Sequence, residues 1–195
     1  MSALPKKKLT EAEYLAVERT AECKSEFYAG EMFAMAGATF DHNRAKDNLA
    51  RHLGNQLDGG PCFPLTSDMR VKVSATGLCT YPDIVVVCGE PVFDGATRDT
   101  VLNPTVVVEV LSDSTERYDR GTKFRHYQQI PSLQEYLLVA QDEPACERFV
   151  RQPDGTWNLT TVIGLVGELA FASIPARVPL ADIYAGVAFP ATPLR

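Results

Sequence analysis

The stretch that decides the fold is Val106-Val107-Val108-Glu109-Val110-Leu111, which is apolar except for one glutamate. A short apolar run bounded by turn residues is typical of a β-strand buried on both faces of a sheet. In such a strand Glu109 loses its hydration, which is costly unless the carboxylate pairs with a cation or binds a metal ion. Two alternatives remain open: strand alternation points Glu109 to solvent, or an arginine neutralises it.

A second run, Tyr81-Pro82-Asp83-Ile84-Val85-Val86-Val87, places another carboxylate at the start of another buried strand. If the two strands pair, Asp83 and Glu109 can converge on one hard cation, because Mg²⁺ takes carboxylate oxygens as ligands. Asp83 alone also has an ordinary interpretation, since Pro-Asp is common in turns. The two carboxylates together therefore predict a metal site better than either does alone.

The segment after the Glu109 strand predicts a helix over residues 119–130, which Pro131 ends. On a helical wheel Tyr127 and Ile130 lie within about 40° of Lys123, so Lys123 shares the apolar face that packs on the sheet. Either the lysine stem is buried and its ammonium reaches water, or the ammonium reaches the carboxylate pair. In the second case it can orient a water molecule or balance charge on a phosphate.

The rest of the chain predicts an α/β fold: a mixed central β-sheet flanked by helices, with an N-terminal β-hairpin. A capping box at residues 10–13 begins the first helix, and an Ala-Gly turn at residues 29–30 joins the hairpin strands. Helices are also predicted from Thr39 or Asp41 to Leu57, with an apolar stripe every fourth residue, and near residues 181–185. Further strands are predicted over residues 62–65, 69–73, 84–88, 105–111, 135–139, 146–151 and 157–162.

Length and composition indicate one domain over residues 1–195, with residues 1–9 and 186–195 as tails. A hydrophobic share of 45% and a charged share of 23% exclude wholesale disorder. No apolar run approaches the roughly 20 residues that span a bilayer, and no apolar stretch follows the N-terminal lysines as in a secretory signal. We therefore expect a cytoplasmic protein without a membrane partner.

The cysteines and the charge restrict the function further. Five cysteines at irregular spacing, without a CxxC pair, predict reduced thiols with a packing role. A net charge of −6 argues against a protein that coats nucleic acid through phosphate neutralisation. It does not exclude a nuclease, because carboxylates that hold metal ions add to the negative charge.

These stretches, in this order, resemble the Uma family of restriction endonucleases, within the PD-(D/E)XK nuclease superfamily named for its proline–aspartate and acidic-x-lysine signature. The resemblance covers roughly residues 10–185. The residues that carry it are Tyr81 to Val87, Val107 to Ser112, Tyr118 to Lys123, Glu135 to Val139, the hairpin from Glu26 to Glu31, and His42.

The resemblance implies a restriction-endonuclease-like core and a Mg²⁺-dependent endonuclease that hydrolyses phosphodiester bonds in DNA, with Mn²⁺ able to substitute. Asp83, Glu109 and Lys123 would be catalytic, and Asp83, Glu109 and the backbone carbonyl of Val110 would bind the metal. Glu26 is a candidate supplementary ligand or an ordinary exposed carboxylate. The chain departs from the superfamily at Leu111, where the lysine normally stands; the Uma pattern places a lysine on the following helix, as Lys123 does.

Other candidates are less specific. Arg117, Arg120 and Arg125, with His126, form a local basic cluster that either contacts phosphates or is a solvated helix face. His42 is a general base or an ordinary residue of a first helical turn. A homodimer is expected, since cutting both strands of a duplex takes two sites. The alternative function is a catalytically inactive nuclease-like binding or structural protein, which Leu111 and the acidic balance favour.

Overall fold

The computed structural model describes residues 8–189. The helices are α1 (Glu11–Glu18), α2 (Phe40–Leu57), α3 (Glu116–Tyr118), α4 (Phe124–Tyr127) and α5 (Leu180–Ile183), with a π-helical segment (Asp119–Lys123) between α3 and α4. The strands are β1 (Ser25–Tyr28), β2 (Glu31–Ala34), β3 (Cys62–Thr66), β4 (Arg70–Val73), β5 (Leu78–Thr80), β6 (Ile84–Cys88), β7 (Thr100–Val101), β8 (Val106–Val110), β9 (Glu135–Val139), β10 (Ala145–Arg151), β11 (Trp157–Ile163), β12 (Glu168–Ala170) and β13 (Arg177–Pro179).

The centre of the molecule is a six-stranded mixed sheet in the order β11-β10-β9-β8-β6-β3. Strands β8 and β9 are parallel, and the other neighbours are antiparallel. One face packs on α2, whose predicted stripe at Ala45, Leu49, Leu53 and Leu57 is buried. The other face packs on Tyr127 and Ile130 and on part of a second sheet. Strands β6 and β8 are thus buried on both faces, as predicted, and the α/β fold class is confirmed.

The second sheet was not predicted. It has five strands in the order β2-β1-β5-β4-β7. A third, two-stranded sheet consists of β12 and β13. The predicted N-terminal hairpin, β1 and β2, is one edge of this five-stranded sheet. Helix α1 covers the hairpin: the Tyr14 ring stacks on Phe27 with centroids 4.8 Å apart, and the Tyr14 hydroxyl donates to the carbonyl of Ser25. The predicted capping box at Thr10 begins α1.

The helix after β8 differs from the prediction. It begins at Glu116 instead of Asp119, its helical turns end at Tyr127 instead of Ile130, and its middle is π-helical. A π-helical turn accommodates an extra residue and changes the direction of the side chains that follow it. Lys123 is the last residue of the π-helical segment, and its side chain is buried, as are Tyr127 and Ile130.

The prediction that all five thiols are reduced is wrong, because Cys62 and Cys88 form a disulfide. They are directly opposite each other on the antiparallel strands β3 and β6, with Cα atoms 4.0 Å apart. Sequence spacing could not show this, since the two cysteines come together only when the strands pair. Cys79 and Cys146 are free and buried, in agreement with a packing role, and Cys23 is free and exposed.

Most of the two predicted tails lies outside the described residues. Within the described part, the N–H of Leu9 donates to the carbonyl of Gly30, and the N–H of Ala188 donates to Asp41 Oδ1. These contacts attach both described ends to the domain. No helix between residues 8 and 189 is long and apolar enough to cross a membrane.

Candidate active site

The two predicted carboxylates lie side by side at one end of the central sheet. Strands β6 and β8 pair with Ile84 opposite Val108, so Asp83, just before β6, is next to Glu109. Asp83 Oδ2 accepts a hydrogen bond of 2.8 Å from the N–H of Val110. Glu109 Oε2 lies 3.4 Å from the donating N–H of Asp83. Strand pairing therefore fixes both carboxylates relative to each other.

Lys123 brings its ammonium to the carboxylates and not to water. Its Nζ lies 2.9 Å from Glu109 Oε1, 3.0 Å from Glu26 Oε1 and 3.5 Å from Asp119 Oδ1. Only 6% of the lysine side chain is exposed. Because Asp119 and Lys123 are the first and last residues of the π-helical segment, this segment delivers both charges to the face of the sheet that carries Glu109.

Glu26 reaches the same place from β1 and is largely buried, so it is not an ordinary exposed carboxylate. It accepts a hydrogen bond from the Thr80 hydroxyl and forms the ion pair with Lys123. The structure thus joins the hairpin sheet to the central sheet through one lysine and two glutamates. Glu26, the candidate supplementary metal ligand, therefore lies next to Lys123.

His42 is the other predicted residue that the structure brings to the site. Its Nε2 lies 3.1 Å from Asp83 Oδ1. Thr39 caps α2 by accepting a hydrogen bond from the N–H of His42. This hydrogen bond fixes the first turn of the helix beside the start of β6. His42 is therefore both a first-turn residue and a direct neighbour of Asp83.

Three further residues of the site were not predicted as functional. The sequence places Asp119 at the start of the predicted helix and Tyr127 on its apolar face. The Tyr127 hydroxyl donates a 2.8 Å hydrogen bond to Glu109 Oε1, and Tyr118 lies with its ring 5.8 Å from Lys123 Nζ. Asp119 had a signal in the sequence, because it stands four residues before Lys123 and i,i+4 charges meet on a helix.

The site has more negative than positive charge. Three carboxyl groups, those of Glu26, Glu109 and Asp119, surround the single ammonium of Lys123, and Asp83 lies next to Glu109. Burial raises the pKa of Glu109 to about 8; Lys123 opposes this shift, and the neighbouring Asp119 and Asp83 add to it. Burial also raises the pKa of Asp119. Burial lowers the pKa of Lys123, but Glu109, Glu26 and Asp119 outweigh it, so the lysine stays charged.

The donor set fits a hard divalent cation. Asp83, Glu109 and the carbonyl of Val110 offer oxygen atoms, the ligands that Mg²⁺ and Mn²⁺ prefer. The unneutralised negative charge of the site favours a cation. Among the described residues no group of three or more His, Cys, Asp or Glu side chains is arranged to hold a metal ion. A site with two carboxylates suits Mg²⁺, which keeps several of its water ligands in proteins.

The predicted basic cluster is not assembled as one phosphate-binding surface. Arg120 forms ion pairs with Glu116 and Glu147, so its charge is already neutralised. Arg125 is exposed and donates to the Thr122 hydroxyl, and Arg117 is exposed. His126 is buried: its Nδ1 lies 2.9 Å from the Thr76 hydroxyl and its ring packs on Tyr28. Arg120 and His126 therefore have polar partners within the fold, and contact of this cluster with phosphates stays a prediction.

A mixed sheet with two adjacent carboxylates and a buried lysine is the arrangement that the resemblance to restriction endonucleases implied. The chain belongs to the Uma2 family, described as "Putative restriction endonuclease", which matches residues 11–179. This confirms the resemblance to the Uma family that the motifs indicated.

The chain is also similar to a solved structure and to two sequence relatives. The fold is similar to that of "a putative nuclease belonging to DUF820 from Anabaena variabilis ATCC 29413", with a TM-score of 0.73, 14% identity, and coverage of 91% of this chain and 98% of the other. Two relatives come from Synechocystis sp. (strain ATCC 27184 / PCC 6803 / Kazusa). "Uncharacterized protein sll1609" is 39% identical over 164 residues, 84% of this chain and 93% of the relative. "Uncharacterized protein slr1290" is 36% identical over 185 residues, 95% and 96% of the two chains.

Proposed function

We propose that this chain is a Mg²⁺-dependent endonuclease that hydrolyses phosphodiester bonds in DNA. The observation that carries the proposal is the position of Lys123 Nζ, 2.9 Å from Glu109, whose other carboxylate oxygen lies 3.4 Å from the backbone nitrogen of Asp83. Two adjacent carboxylates can hold a divalent ion, and an ammonium beside one of them can balance charge on a phosphate. Membership of the Uma2 family supports the same activity.

Asp83, Glu109 and the carbonyl of Val110 would hold the metal ion, with Mn²⁺ able to replace Mg²⁺. The bound ion would supply Lewis-acid stabilisation of the phosphate and lower the pKa of the attacking water. Lys123 balances the negative charge that builds up on the phosphate and orients the nucleophilic water. Glu26 holds the ammonium in place from the side of the hairpin, and His42 holds Oδ1 of Asp83.

Substrate contacts and assembly extend this proposal. Arg117 and Arg125 are exposed near the helix that carries Lys123 and would contact DNA phosphates, whereas Arg120 would first have to leave Glu116 and Glu147. The chain would act as a homodimer, because cleavage of both strands of a duplex takes two sites.

A second candidate is a nuclease-like binding protein without turnover. Leu111 favours it, because the residue at the usual lysine position is buried in an apolar cluster. The net charge of −6 also weakens binding to DNA. This protein would bind metal or nucleic acid but would not cleave.

Calorimetry followed by cleavage separates the two candidates. Mg²⁺ or Mn²⁺ should bind to the wild type, and Asp83→Asn and Glu109→Gln should each weaken binding strongly. In single-turnover cleavage of a mixed DNA substrate with Mn²⁺, Glu109→Gln should be inactive. Lys123→Met should lose about 10²–10³ in rate, the typical cost of one electrostatic group.

The matched control is Lys72→Met. Lys72 also bridges two carboxylates, those of Glu11 and Asp94, but outside the candidate site, so this variant should cleave like the wild type. A wild type that binds metal and does not cleave any DNA would support the binding protein. A wild type that binds no divalent ion would contradict the nuclease.

A further inference from the structure

The central sheet ends at β11 (Trp157–Ile163), a strand of seven residues that pairs with β10 along one side. In the part of the chain that the structure describes, no strand pairs with its other side. Most of its side chains are exposed on both faces of the sheet. Strand β11 is therefore a long, open edge.

The alternation of hydrogen bonds between β10 and β11 shows which N–H and C=O groups of β11 have no partner in β10. At the two ends of the β10–β11 ladder, the N–H of Gln152 donates to the carbonyl of Thr156, and the N–H of Gly164 donates to the carbonyl of Pro144. Since bonding residues alternate in an antiparallel ladder, the even-numbered residues of β11 bond to β10. The odd-numbered residues direct their N–H and C=O groups outward: Trp157, Leu159, Thr161 and Ile163.

This edge lacks the features that normally prevent strand pairing. Proteins protect open edges with charged residues, proline or bulges. Residues 157–163 contain no charged residue, proline or glycine. The opposite edge of the same sheet, β3, has Pro64 at its centre. Leu159 and Ile163 are 49% and 70% exposed, and Val166 just beyond the strand is fully exposed. The contrast between the edges indicates that β11 has a strand partner.

We propose that β11 pairs antiparallel with β11 of a second copy of this chain, about a two-fold axis at Thr160. In this register Trp157 is opposite Ile163 of the second copy, and Leu159 is opposite its Thr161. All four outward-facing residues of each strand are then hydrogen-bonded, and no like charges meet. Moving the axis by one residue to Leu159 would place Ile163 opposite the turn residue Gly155. The two sheets become one continuous sheet.

Other occupants fit the edge less well. Residues 190–195 contain Pro190 and Pro193, which have no N–H to donate to a ladder. Residues 1–7 precede Lys8, which lies against Gly30 in the hairpin of the other sheet. A second copy offers a strand of the same length and the same neutral composition. The inference does not rest on the proposed nuclease activity, although it gives the proposed homodimer its interface.

Cross-linking tests the register directly. Facing residues of a non-hydrogen-bonded pair have Cα atoms about 4.5 Å apart, which a disulfide can bridge. In a Cys23→Ser background, which removes the exposed free thiol, Thr160→Cys should give a reducible covalent dimer. Asn158→Cys is the control, because in this register it faces Val162 and should not cross-link. Equal cross-linking of the two variants, or none of Thr160→Cys, would overturn the proposal.

Sedimentation equilibrium tests the interface in the absence of metal and DNA. The wild type should be a dimer at high concentration, and Thr161→Pro and Leu159→Lys should be folded monomers by mass and circular dichroism. Phe63→Lys, on the opposite edge strand β3, should remain a dimer. A monomeric wild type at every concentration, or a Leu159→Lys variant that dimerises like the wild type, contradicts the interface. Neither readout depends on metal binding or cleavage, so the nuclease proposal is judged separately.

Discussion

Replacing Lys123 with methionine should destabilise the fold strongly at alkaline pH. The substitution keeps the length and the apolar stem but removes the ammonium, which lies 2.9, 3.0 and 3.5 Å from three carboxylates. Breaking a buried ion pair costs about 3–5 kcal/mol, because the partner charge stays buried without compensation. Proton uptake by the carboxylates offsets part of this, so we expect a loss of about 2–4 kcal/mol at pH 8. In a chain of this size that lowers Tm by roughly 5–15 °C.

The pH dependence of this loss follows from Glu109. Its folded-state pKa of about 8 is above its ordinary value of 4.5, and removal of Lys123 raises it further. A carboxyl group with a raised folded-state pKa keeps its proton in the folded state. Between the unfolded-state pKa and the folded-state pKa the carboxyl group is ionised in the unfolded chain but protonated in the folded protein. The folded protein therefore loses stability as the pH rises through this range. The Lys123→Met variant should be closest to the wild type near pH 5 and furthest from it near pH 8.

The measurement is urea and thermal unfolding in EDTA at both pH values. Lys72→Met is the matched control: its ammonium also contacts two carboxylates but is more exposed, so its loss should be at most about 1 kcal/mol. The loss in this control should also be nearly the same at both pH values. If Lys123→Met lies within about 1 kcal/mol of the wild type at pH 8, the ammonium does not hold the carboxylates together. A loss that is equally large at pH 5 would contradict the electrostatic explanation.

Three other predictions follow from the same structure. Glu109→Gln should raise Tm in EDTA at pH 8 but not near pH 5. The wild type loses stability between the ordinary pKa of 4.5 and the folded-state pKa of about 8, and glutamine does not titrate; an unchanged Tm at pH 8 would contradict this. Reductant should lower stability by about 3 kcal/mol through the Cys62–Cys88 disulfide, and a Cys62→Ser/Cys88→Ser variant should be equally unstable and should not respond to reductant. Leu111→Lys should cost about 2–4 kcal/mol in urea unfolding, because it replaces a buried leucine with a second ammonium beside Glu109, which Lys123 already pairs; a wild-type midpoint would show that the position is open to solvent.

The elements that the sequence predicted are those with a long local pattern. The apolar pattern of β6, β8 and α2 extends over several residues in each element. The sequence therefore predicts that these residues are buried even when the elements that pack on them are unknown. The same runs predicted that Asp83 and Glu109 are neighbours on the condition that the two strands pair, although residues 89–105 separate them. The antiparallel register of β6 with β8 agrees with that reasoning.

The elements that were missed depend on contacts between distant segments. Strands β5, β7, β12 and β13 have two or three residues each, too few for a period to be visible. The disulfide joins two separate strands, and the ion pair of Arg120 with Glu147 joins the π-helical segment to β10. The π-helical segment has no repeating pattern in the sequence either, so the predicted helix began and ended at the wrong residues although Lys123 was placed on its buried face.

The structure gives a physical reason why lysine can leave position 111. In a strand, residues two apart point to the same face, so a lysine at position 111 would stand beside Glu109 on the strand itself. Leu111 lies on that face and packs in the apolar cluster with Phe124 and Tyr127 of the covering helix. The covering helix supplies the ammonium instead, since its π-helical segment points Lys123 at Glu109. In this chain the strand therefore supplies an apolar contact at position 111, and the helix supplies the positive charge next to Glu109.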